Sequence, residues 1–77
     1  MAGKLRPAAS ERTIAYDKGV AYLGDVPIWN LVRRRFAGAS DAEILAQHGL
    51  TRNELDAAWA HADRCPNEMA RDLRLNR

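Results

Sequence analysis

The sequence predicts a mostly α-helical domain, with three helices in a helix-turn-helix, homeodomain-like arrangement preceded by a short β-hairpin. Three observations carry this. Two Ser/Thr-x-x-Glu capping boxes, Ser40 with Glu43 and Thr51 with Glu54, open two helices in quick succession. Gly38 and Gly49 stand where helices stop, and between these signals apolar residues recur at three- and four-residue spacing. Ahead of them, two β-branched and aromatic runs flank Asp17-Lys18-Gly19.

Residues 1–11 are small and polar, contain a proline and show no periodicity, which reads as a disordered arm. Arg12 to Tyr16 and Val20 to Leu23 read as the hairpin strands, with Gly19 supplying the positive φ of a bulged turn. Two strands alone are barely stable in water, so the hairpin must pack on helices or pair with another chain. The first helix runs from Pro27 to Ala37, with a proline suited to its first position and Gly38 as its stop. Ile28, Leu31, Val32 and Phe36 make its apolar stripe, with Trp29 at the border. The second helix, Asp41 to His48, closes at Gly49; the third runs from the Thr51 box to about Arg64 and turns Leu55, Ala58, Trp59 and Ala62 inward. Cys65-Pro66 breaks it. The folded domain is therefore expected at 12–65, and 66–77 reads as a C-terminal tail, either a last helical turn or two or a segment that orders on binding.

A chain of 77 residues has room for one domain with a marginal core. Its one cysteine rules out an internal disulfide, and a lone thiol without an apolar leader points to a reduced, cytoplasmic setting. No apolar run approaches the twenty or so residues that cross a bilayer, so no membrane partner is expected. Association with another chain is the remaining source of stability, and a homo-oligomer is expected with Ile14, Tyr16, Tyr22 and Trp29 at its interface. The net charge is +2, but residues 1–39 hold seven basic groups against three acidic ones, whereas residues 40–65 hold two against five. A phosphate-binding surface would thus draw mainly on the first half.

The pair of capped helices joined by Gly49-Leu50 has the layout of a helix-turn-helix, although any compact three-helix bundle also needs a short turn. In the DNA-reading version, Thr51, Arg52 and Asn53 sit at the reading end of the second capped helix, with Glu54 and Asp56 opposing phosphate. Arg33, Arg34 and Arg35 span about 200° of the first helix, so they cannot all face one way. The run can clamp phosphates or an acidic partner, or be a solvated face with one arginine lying beside Trp29. Trp29 and Trp59 read as core or subunit-interface anchors. His61 and Cys65 are one helical turn apart, but with His48 they make only three soft candidates at unhelpful spacing, so neither metal nor cofactor is expected. No phosphate loop and no activated nucleophile is visible, and the chain reads as a binding protein and not an enzyme.

Gly24-Asp25-Val26-Pro27-Ile28-Trp29, then Leu31, Phe36-Ala37-Gly38-Ala39-Ser40, Glu43-Ile44-Leu45 and Gly49-Leu50-Thr51-Arg52-Asn53-Glu54-Leu55 follow in an order that resembles the bacterial family known as domain of unknown function 433. The resemblance covers roughly residues 20–62. It implies a helix-turn-helix domain with a short hairpin, antitoxin-like, paired with a PIN-like nuclease toxin and repressing its own operon. The lead-in to the first helix is shorter than the family's and places Asp25 where the family has a basic residue, so no phosphate contact is carried over to Asp25. The expected function is accordingly an oligomeric antitoxin-type protein that neutralises a PIN-like toxin, with operator DNA as a further partner. The alternatives are a free-standing helix-turn-helix repressor and a structural interaction subunit. In the tail, Met69 and Leu73 lie four apart while Arg71, Arg74 and Arg77 recur every three residues, a short amphipathic helix with a basic edge suited to an acidic nuclease centre.

Overall fold

The computed structural model describes residues 11–76. Within them a small antiparallel sheet precedes four helices, and the molecule is mostly helical. The sheet comprises β1 (Ile14–Asp17), β2 (Val20–Leu23) and β3 (Val26–Pro27) in the order β1-β2-β3. The helices are α1 (Ile28–Phe36), α2 (Asp41–His48), α3 (Arg52–Arg64) and α4 (Pro66–Leu75). The expected hairpin is therefore a three-stranded sheet. β3 escapes sequence reading because two residues, one of them proline, carry no periodicity; here Val26 pairs with Leu23 and Pro27 with Tyr22.

The turn between β1 and β2 is also tighter than the expected bulge. Asp17 pairs directly with Val20, and the two residues between them, Lys18 and Gly19, both have positive φ, at 52° and 81°. That is the two-residue hairpin turn whose twist matches the strands. Register places Ile14 opposite Leu23 and Tyr16 opposite Ala21, so these side chains share the inner face, while Ala15 and Tyr22 occupy the outer one.

The helix boundaries follow the local signals. After α1 the chain makes a paired-carbonyl stop: the Gly38 N–H donates to the Arg35 carbonyl, and the Ala39 N–H to that of Arg34, with Gly38 at φ 102°. Both capping boxes are complete in both directions, and Gly49 ends α2 in the left-handed conformation. α4 lacks a side-chain cap but begins with Pro66 at its first position, which needs no N–H partner there.

α1 is the hub, packing against α4, α3, α2 and the sheet. Leu23, Ile28, Leu31, Ile44 and Leu55 are fully buried around it, and Met69 of α4 closes the core. Residues 66–76 are thus no detached tail: Met69 is a core residue and Leu73 packs against the core. Phe36 departs from its expected place on the α1 stripe. At about 100° per residue, Arg35 falls between Leu31 and Val32, whereas Phe36 lies about 80° from Ile28. Arg35 accordingly lies over the core-facing Trp59, and Phe36 is 76% exposed.

Candidate functional site

The end of α3 expected to read DNA is closed on itself. The Arg52 guanidinium donates to Asp56 Oδ1 at 2.7 and 3.0 Å and to Asp41 Oδ2 at 2.9 Å. Hydrogen bonds from Arg52 hold the Asp41 carboxyl below the usual range, and the Trp59 indole N–H donates to its other oxygen at 3.2 Å. Thr51 is taken up as the cap, its hydroxyl accepting from the Glu54 N–H and donating to Glu11 at 2.8 Å. Asn53 is exposed, but Glu11, Asp41 and Asp56 meet the two residues before it, Thr51 and Arg52, so the surface around this helix end is acidic.

The arginines of α1 diverge. Arg33 lies over the Trp29 ring at 4.9 Å and donates to the Leu73 carbonyl at 3.4 Å, joining α1 to α4. Arg35 lies over Trp59 at 4.6 Å. Arg34 projects elsewhere, half-buried, with its Nε shielded and unpartnered. No single phosphate-facing row results. Of the C-terminal candidates, Arg71 is drawn inward, donating to the buried Asp72 carboxylate at 2.8 and 3.0 Å and to the Gly19 carbonyl at 2.9 Å. Arg74 is exposed, Leu73 is half-buried, and Arg77 lies outside the described residues. Of the interface candidates, Ile14 packs against the core and Tyr16 turns to the helices, leaving Tyr22 on the other face of the sheet and Trp29 half-exposed on α1.

An apolar groove of about 310 Å³ lies between α1, α3 and α4. Val32, Trp59, Met69 and Leu73 form its floor and Phe36 its lip, with Arg35 and Asp63 at the edges. Trp29 and Phe36, seven residues or about two turns apart, lie on the same flank of α1. Sequence reading placed Phe36 in the core; the angular position of Arg35 within the stripe was the signal against it.

A second constellation occupies the corner between α3 and α4. Cys65 links them with non-helical angles of φ −126° and ψ 57°. His61 comes one turn before it and Glu68 one turn after, and the ligand atoms of all three lie within 4.8 Å of one another. The Tyr16 hydroxyl reaches in from β1, donating to the Glu68 carboxylate at 2.8 Å and meeting His61 Nε2 at 3.3 Å. The Glu68 hydrogen bond, then partial burial and the carboxylate charge, push the Tyr16 hydroxyl up to about 12. Tyr16 and His61 also meet edge to face at 5.8 Å. Glu68 is not among the sequence-based candidates and Tyr16 is expected at an oligomer interface instead, because sequence spacing cannot show that β1 docks beside a helix some fifty residues later.

No protein-family model, curated protein or solved structure matches the chain.

Proposed function

We propose that this chain is a non-enzymatic binding module of the antitoxin type, whose groove between α1, α3 and α4 seats an apolar segment of a partner protein. The observation that carries this reading is the exposed lip of the groove, where Phe36 is 76% exposed above a floor that includes Trp59. Aromatic residues over an apolar floor are what the centre of a protein interface requires. With Arg35 and Asp63 both at its edges, the groove favours a partner segment that is apolar at its centre and carries charges of both signs at its rim. A PIN-like nuclease, with its carboxylate-lined centre, is the partner that the family resemblance suggests.

The acidic surroundings of Thr51 and Arg52 favour a protein over operator DNA as the principal partner. The two capped helices joined at Gly49-Leu50 support DNA as a second one through helix-turn-helix geometry. A photo-crosslinking amino acid at position 36, used in the native host, tests the primary reading. An adduct with a nuclease, and a Phe36→Asp change that weakens binding to that nuclease at least about tenfold by calorimetry, would support it. Adducts confined to DNA or to other copies of the chain would overturn it.

A further inference from the structure

We propose that the α3–α4 corner is a binding site for a borderline-soft divalent cation of the zinc type, held by His61 Nε2, Cys65 Sγ and one carboxylate oxygen of Glu68. The three groups converge because the helix breaks at Cys65: the non-helical backbone there, followed by Pro66, folds α4 back so that Glu68 meets the last turn of α3. His61 Nε2 and Glu68 Oε2 are 3.3 Å apart. Ligands at zinc bond lengths of about 2.0 to 2.3 Å around a tetrahedral ion stand about 3.3 to 3.6 Å from each other, so this pair already has the needed spacing. Cys65 completes the triad by a rotation of its side chain, since its sulfur lies within 4.8 Å of both.

The donor set selects the ion. One imidazole, one thiolate and one carboxylate suit zinc or cobalt and not magnesium or calcium, which take oxygen ligands. Charge also balances: a divalent ion meets one thiolate and one carboxylate, leaving a neutral centre beside a histidine that is 6% exposed. On binding, the thiol sulfur forms a bond to the ion and its proton leaves to solvent, one per ion. Tyr16 keeps its proton and remains a hydrogen-bond donor to Glu68, fixing the carboxylate from the outer shell. Three protein ligands leave the fourth tetrahedral position to a water molecule.

The test is titration of the full reduced chain with Co²⁺, followed by displacement with Zn²⁺. The expected result is one equivalent per chain, a thiolate-to-cobalt band in the near ultraviolet, tetrahedral visible bands, and a rise in melting temperature on adding Zn²⁺. Glu68→Gln and His61→Gln should each weaken Co²⁺ at least about tenfold, while His48→Gln should leave affinity unchanged. Should His61→Gln fail to fold by circular dichroism, the partly exposed Glu68→Gln carries the comparison. Any of three results overturns the proposal: no band on the folded chain in excess Co²⁺, half an equivalent per chain, or a band whose affinity is indifferent to Glu68→Gln.

Discussion

Glu54 is 3% exposed, yet both of its carboxylate oxygens are engaged: one accepts the Thr51 N–H at 2.8 Å and the other the Arg12 N–H at 2.6 Å. Arg12 in turn donates from its guanidinium to the Gly49 carbonyl at 3.2 Å, so the segment before β1, the end of α2 and the start of α3 meet at this carboxylate. Burial pushes its pKa up, but the N–H donors of Arg12 and Thr51 and the nearby Arg12 charge outweigh it, and the net shift is downward. A depressed folded pKa contributes stability that is present above the unfolded value of about 4.3 and is lost as pH falls through the folded value. Glu54→Gln puts an amide NH₂ against one of the two N–H donors, leaving it unpaired at a cost of about 1 to 3 kcal/mol. Denaturant melts at neutral pH should show that loss, and the variant should lose less stability than the parent between about pH 5 and pH 3. An unchanged acid limb would assign the pH dependence to other carboxylates. By contrast, the Arg52 pairs with Asp41 and Asp56 are solvent-screened surface pairs that contribute little to stability.

At the level of elements, legibility tracked how local the cause was. α2 and α3 were readable because each carries its own capping box and a stop or break signal, interactions that close within four residues. α4 is readable as a short amphipathic helix but not as part of the core, since it has no side-chain cap and the buried Asp72 sits among its apolar positions. Its stability comes from packing on α1, as expected for a helix too short to hold alone. Of the candidate site residues, the His61-Cys65 pair could be read from its spacing, but Glu68 and Tyr16 could not, because their approach depends on that packing. The consequence is testable. Ending the chain after Cys65 removes Met69 and Leu73 from the core, so it should abolish the cooperative melt instead of merely freeing a docking segment. Met69→Ala alone should cost about 2 to 5 kcal/mol, the range for emptying a buried long apolar side chain. A truncated chain that melts cooperatively at the parent's temperature would show that α4 adds nothing to the fold.

For the whole molecule, ten buried apolar residues form the core among those described, and two of them are alanines. A core of that size leaves a domain near the lower limit of independent stability. Meanwhile Phe36 and Leu75 are exposed, and Trp29 and Tyr22 are only half covered. These surfaces fall on two sides: Phe36 borders the groove, whereas Tyr22 belongs to the outer face of the sheet, with its Pro27 partner leading into α1 and Trp29. Self-association through the outer sheet face and Trp29, at the opposite end of α1 from Phe36, would leave the groove open for a different protein and would tie folding to concentration by mass action. Melting temperature should therefore fall on about hundredfold dilution, with sedimentation reporting a mass above the 8.6 kDa monomer at the higher concentration. Tyr22→Lys combined with Trp29→Ser should remove both effects. Phe36→Ser should leave them intact, because its side chain lies on the groove. A monomer whose melting temperature is indifferent to dilution would defeat self-association, and loss of the oligomer in Phe36→Ser would instead place a second copy of the chain in the groove.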